Sequence, residues 1–150
     1  MIGFYYDGTR WLSDDVYDVG SGGGAVLSAT TGNGVVVTAD YLGCSDIYIL
    51  NVKAVIDVAA GGTALGASHH WDSHWDVFTT TTPAGVTVAT NVLNAGANGF
   101  REVVTPINAL LSSLITGSTG VLFRSNFVKT GTPGNLTAWT MSMTYRLVTT

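Results

Sequence analysis

Charge is scarce in this chain: acidic and basic side chains make up 11% of its 150 residues, against about 25% in a typical soluble domain. A surface built instead from Thr, Ser, Asn, Gly and apolar groups costs little to desolvate against another protein. The six cations, Arg10, Lys53, Arg101, Arg124, Lys129 and Arg146, are scattered, and the formal net charge is −4. No basic stripe exists for a phosphate backbone to follow, so no nucleic-acid partner is expected. Apolar runs are broken by Gly, Asp or Asn, far short of the ~20 residues a membrane helix requires, so no membrane partner is expected either. The opening MIGFYYDGTRW has neither a basic start nor a long apolar stretch. No secretory signal is read there, and synthesis without export is the expectation.

Cysteine is almost absent. Cys44 stands alone, which excludes an intrachain disulfide. Its neighbours in LGCSD supply no cation to activate a thiol, so a small buried hydrophobe is expected. Glu102 is the only glutamate and no G-x-S-x-G elbow occurs, which removes a paired-glutamate acid/base site and a familiar serine nucleophile. The glycine run at 20–24 lacks the strand-before, helix-after context of a phosphate loop and reads as a flexible connection. Asp14, Asp15 and Asp18 lack the glycine-punctuated spacing of a calcium loop and read as a solvated acidic face. Neither an enzyme nor a cofactor is expected.

What the chain does carry is a period of two. Trp139, Met141, Met143, Tyr145 and Leu147 alternate with Ala138, Thr140, Ser142, Thr144 and Arg146, the signature of a strand with one buried face. The run GVLFRSNFVK at 120–129 is also β-prone, and the turn formers at 130–135 between the two predict an antiparallel hairpin. A second clean strand spans 47–58, with Tyr48, Leu50, Val52, Ala54, Ile56 and Val58 expected on one face and Asn51, Lys53 and Asp57 on the other. Its apolar face is expected to pack across a sandwich against that of 139–147.

Shorter strands are expected at 2–6, 34–39, 75–82, 86–93 and 100–104, the pair around Pro83 joined by a turn, while 11–19 is ambiguous. One short helix is expected over 105–115, because Thr105 can cap, Pro106 fits the first turn, and Ile107, Leu110, Leu111 and Leu114 lie at helical spacing. With no repeat and no linker, the reading is a single all-β domain over 1–150. It is an antiparallel, jelly-roll-like β-sandwich with that one helix.

The stretch 68–76 holds all three histidines and two of the four tryptophans. An extended backbone would place His70, Asp72 and His74 on one face, which makes them weak metal candidates, but no second cluster completes a shell and no metal is expected. An indole face flanked by polar groups also suits a sugar ring, so Trp71, Asp72, His74 and Trp75 form an alternative carbohydrate site. Under that alternative the chain is a carbohydrate-binding module of a phage fibre or receptor-binding protein, with both indoles exposed.

The closing block LTAWTMSMTYRLV, preceded by GVLFRSNFVK and a Gly/Pro turn, resembles the small all-β structural proteins of tailed bacteriophages, particularly capsid decoration or cement proteins. The similarity covers about the last third of the chain. It implies a protein made in the host cytoplasm and located in the virion, where it binds the major capsid protein or other virion proteins. It also implies a symmetric homo-oligomer, a trimer in the first instance. Independently, residues 1–12 are aromatic enough to predict an interface arm. Phe4, Tyr5, Tyr6 and Trp11, together with Thr140 and Thr144 on the polar face of the last strand, are the expected contact residues.

Overall fold

The computed structural model describes residues 2–23, 31–39, 46–79, 85–114 and 121–149. Cys44, the turn at Pro83 and the expected helix end at Ile115 lie outside the described residues. Among the described residues ten strands run in chain order: β1 (Phe4–Tyr6), β2 (Trp11–Ser13), β3 (Tyr17–Gly23), β4 (Thr31–Ala39), β5 (Asp46–Val58), β6 (His70–Thr79), β7 (Val86–Leu93), β8 (Gly99–Leu110), β9 (Val121–Thr130) and β10 (Leu136–Thr149). One helical turn, α1 (Leu111–Leu114), follows β8.

The strands form two antiparallel sheets. Sheet I has the order β1-β2-β10-β5-β8, with β3 also paired along β10, and sheet II has the order β4-β9-β6-β7. From β3 onward the neighbours are therefore β3-β10-β5-β8 in one layer and β4-β9-β6-β7 in the other. Only β6 and β7 are successive strands of that set paired in one sheet. Every other step crosses the sandwich, which is the double Greek key of an eight-stranded jelly roll, here preceded by the β1–β2 hairpin.

That topology corrects the expected C-terminal hairpin. β9 pairs with β4 and β6, whereas β10 pairs with β5, β3 and β2. The turn formers between them thus carry the chain from one sheet to the other. Pro133 and Gly134 in this crossing are buried, and the Trp71 indole Nε1 donates to the Gly134 carbonyl at 2.9 Å. The expected packing of the 139–147 face against 47–58 across the sandwich is corrected too, because β5 and β10 lie side by side in sheet I. The inward face of β10 is nevertheless the one its alternation predicts: Trp139, Met141, Met143 and Leu147 are all buried. They meet sheet II, where Phe127 packs edge-on to Trp139 with ring centroids 5.3 Å apart.

On β5 the buried set is Ile47, Ile49, Val52, Ala54, Ile56 and Val58. The expected phase holds for 52–58 and fails for Tyr48 and Leu50. The register with both neighbours slips between Ile49 and Asn51, so Leu50 is an extra residue that moves the following side chains to the other face, as a β-bulge does.

Among the described residues the short helix spans Leu111–Leu114. Residues from Thr105 to Leu110 continue β8, whose half-buried Val103, Thr105 and Ile107 alternate with exposed Glu102, Val104 and Pro106. Pro106 is tolerated because β8 is the last strand of sheet I, where a missing N–H disrupts no ladder on its free side. The run expected as flexible at 20–24 is likewise structured up to Gly23, as the end of β3.

Candidate functional site

The expected carbohydrate site does not assemble. In β6 the alternation turns Trp71, Ser73 and Trp75 inward, and all three are fully buried. His70, Asp72 and His74 fall on the opposite face and are half-buried. Side chains an odd number of residues apart on a strand point opposite ways, so the two indoles cannot share a sugar-binding surface with Asp72 and His74. The adjoining imidazoles hold loops together. His70 Nε2 lies 3.5 Å from Asp72 Oδ2 and its Nδ1 lies 3.3 Å from the Gly66 carbonyl. His69 Nδ1 accepts from the Thr132 backbone N–H at 3.0 Å. Among the described residues no group of three or more His, Cys, Asp or Glu side chains gathers in metal-binding geometry.

The N-terminal aromatics form a built feature. Residues Phe4–Tyr6 pair with Trp11–Ser13, and β2 in turn pairs with the end of β10 through Leu12 and Trp11. The turn is held by Asp7, whose Oδ1 accepts from the Thr9 and Arg10 backbone N–H groups at 2.8 and 2.9 Å. Those hydrogen bonds, Arg10 foremost, stabilise the carboxylate and hold its pKa below the ordinary value. Arg146 donates to the Ser13 and Asp14 carbonyls and sits 5.6 Å from the Tyr5 ring centroid. The hairpin is therefore an integral edge of sheet I, with Leu12 4% exposed. Of the expected contact residues it presents Tyr5, Tyr6 and Trp11, at 41%, 56% and 46% exposure. Tyr6 and Trp11 lie against each other with ring centroids 5.4 Å apart. Phe4 is half-buried and packs on the core.

The second surface is the outward face of sheet I, where Thr140 is exposed and Thr144 is half-buried, donating to Asp18 Oδ1 at 2.7 Å. Cross-strand partners share a face, so the register lays this surface out in columns. On β8 stand Phe100, Glu102, Val104 and Pro106; beside them on β5 are Asp57, Val55, Lys53 and Asn51. Next on β10 come Ala138, Thr140, Ser142 and Thr144, and on β3 Gly22, Gly20 and Asp18. The β8 column is tall and exposed, with Phe100 at 67% and Val104 at 47%, whereas the β3 column is mostly bare backbone. A depression of about 320 Å³, bordered by Gly22, Val55, Ala138, Thr140 and Phe100, lies on this face. Sequence reasoning placed a strand at 100–104 but missed Phe100 and Val104 as surface residues. The signal was present, since two large apolar side chains sit on the same parity as Glu102.

No family model and no curated protein matches the chain. Among solved structures it is similar to a chain in the structure of infectious bursal disease virus, Gx strain, at 14% identity and a TM-score of 0.44, covering 98% of this chain and 36% of that one. It is also similar to a chain of the Gt strain of that virus, at 11% identity and a TM-score of 0.39, covering 99% of this chain and 42% of that one. The chain thus spans well under half the length of these solved chains. The jelly-roll assignment above stands on strand register alone.

Proposed function

We propose that this chain is a non-enzymatic virion structural protein, and within that class a capsid decoration or cement protein that stabilises a viral shell through contacts with the major capsid protein or other virion proteins. The observation that carries the reading is the set of exposed aromatics on a rigid sheet edge, the Tyr6–Trp11 pair on one face of the hairpin and Tyr5 on the other. Interfaces are enriched in Tyr and Trp and depleted of charge at their centres, and jelly rolls serve in viral capsids as well as in lectins and cupins. Fold alone does not choose among those uses. The lectin alternative lost its two indoles to the core, so a glycan screen is expected to return no binder.

The direct test is electron microscopy of the native particle, asking whether density of this size repeats on a shell lattice. The triple variant Tyr5→Ser, Tyr6→Ser, Trp11→Ser removes the three exposed rings and leaves buried Leu12 in place. It is expected to keep the fold and lose shell binding by at least tenfold. Undiminished binding of the folded triple variant would remove the hairpin from the proposal.

A further inference from the structure

We propose that the crossing from β9 to β10 is latched by a proton-sensitive clasp, in which His69 holds Thr132 only while its ring is neutral and the adjacent His70 keeps the supporting turn in place when acid is added. This inference does not depend on the virion reading. It rests on what each imidazole nitrogen faces, and both rings are half-buried, within reach of solvent protons.

Thr132 is gripped from both sides. Its backbone N–H donates to His69 Nδ1 at 3.0 Å, and its carbonyl accepts from the Thr63 backbone N–H at 3.2 Å. A backbone N–H can only donate, so Nδ1 must present its lone pair and the proton of the neutral ring sits on Nε2. The Thr132 hydroxyl lies 3.3 Å from the same nitrogen. The approach is close because residue 131 is glycine, at a φ of +67°, and a Cβ there would collide with the Ser68 carbonyl and the His69 ring. The His69 backbone is fixed in turn by Gly66, with which it exchanges hydrogen bonds of 2.8 and 3.1 Å that close a tight turn leading into β6.

His70 makes the opposite demand. Its Nδ1 faces the Gly66 carbonyl at 3.3 Å and its Nε2 faces Asp72 Oδ2 at 3.5 Å. Both partners only accept, so the ring satisfies both when each nitrogen bears a proton, as in the imidazolium. Neighbouring histidines therefore answer acid with opposite signs: the bond from Thr132 to His69 is lost on protonation, while the contacts of His70 strengthen. Little else near the clasp titrates with them. The segments 59–68 and 130–135 contain no ionisable side chain. From β6 come Asp72 and, further along, His74, and β9 brings Lys129, whose Nζ donates to Asn135 Oδ1 at 2.8 Å. Free imidazole titrates near pH 6.5, carboxylates near 4 and ammonium groups above 10, so between about pH 8 and 5 the change at the crossing comes from histidine. The bond from the Trp71 indole to Gly134 has no titrating partner. Release is thus confined to the tip at Gly131 and Thr132 and leaves the sandwich folded.

Nuclear magnetic resonance of the whole, nitrogen-labelled chain tests it. At about pH 8 a scalar coupling across the hydrogen bond should link the Thr132 amide nitrogen to His69 Nδ1, and at about pH 5 it should vanish. With the intrinsic exchange rate at each pH divided out, protection of the Thr132 amide should fall about five- to tenfold over that range, the effect of one modest hydrogen bond. The Gly66 and His69 amides, held in the turn that His70 supports, should keep their protection. His69→Asn places an acceptor oxygen close to the position of Nδ1 and does not titrate, so it should protect Thr132 equally at both pH values. His74→Gln, beyond the clasp on β6, should leave the parent response unchanged. Absence of the coupling at about pH 8 overturns the proposal. So does a Thr132 response that survives in His69→Asn, or a loss of Gly66 and His69 protection together with that of Thr132.

Discussion

Replacing Trp71 with Phe tests whether the crossing from β9 to β10 is pinned from sheet II. The indole is fully buried and its Nε1 donates to the buried Gly134 carbonyl at 2.9 Å. Phe fills part of the same site but cannot donate. Full truncation of a buried Trp costs about 3–5 kcal/mol, and removing only part of the ring system costs about 1–2 kcal/mol of that. Leaving the Gly134 carbonyl without its partner adds about 1–3 kcal/mol. The expected loss is therefore about 3 kcal/mol, or about 6–12 °C in Tm for a domain of this size. Urea unfolding followed by the fluorescence of Trp11, Trp75 and Trp139 should show a lower midpoint with an unchanged slope. Trp11→Phe, at a position 46% exposed, is the matched control and should stay within about 0.5 kcal/mol of the parent. If Trp71→Phe proved as stable as that control, the indole would not be anchoring the crossing and the reasoning would be wrong.

Gly134→Ala should be at least as damaging, because an added Cβ would collide with the Ala59 carbonyl oxygen, a backbone atom that cannot step aside. A loss above about 3 kcal/mol, or failure to fold, is expected by thermal melting, and a near-neutral effect would contradict the close approach. Tyr145 makes a pH prediction: burial, then the neighbouring Tyr17 and Asp18, push its pKa above the ordinary value. The native state therefore holds this proton after the unfolded chain has begun to lose it. The associated stability is intact below about pH 10 and is lost as pH rises toward the native value. Tyr145→Phe should flatten the alkaline fall in Tm relative to the parent, and superimposable profiles would remove the effect.

Side-chain parity was legible in the sequence wherever a strand ran without interruption. The buried face of β10 follows from alternation alone, and so does that of β5 from Val52 onward. Parity was lost at Leu50 because a bulge adds one residue without any compositional mark. Of the four residues at helical spacing, Leu111 and Leu114 lie in α1, whereas Ile107 and Leu110 matched it by coincidence and belong to β8. Pro106 strengthened that misreading, although an edge strand accepts proline as readily as a first helical turn does. Turn chemistry at 130–135 announced a reversal but could not say whether the next strand returned to the same sheet or crossed to the other. That choice is made by buried groups distant in sequence, such as the Trp71 indole holding Gly134. At the candidate surfaces, aromatic content found the hairpin. The paired heights of β8 and β3 emerge only when the register places residues from opposite ends of the chain on one plane.

Sheet I joins its earliest strands to its last one: β10 lies between β3 and β5, and the Thr144 hydroxyl reaches Asp18 across 126 residues of sequence. Until β10 arrives, β3 has no neighbour on that side and β5 lacks one of its two. Loop closure over such separations must be met before the pairing repays it, which slows folding of all-β chains. During synthesis the unpaired edges of β3 and β5 stand open while the rest of the chain is made, exposing strand backbone that any similar edge can join. Removing β10 should therefore leave a sticky, aggregating chain rather than a smaller folded one.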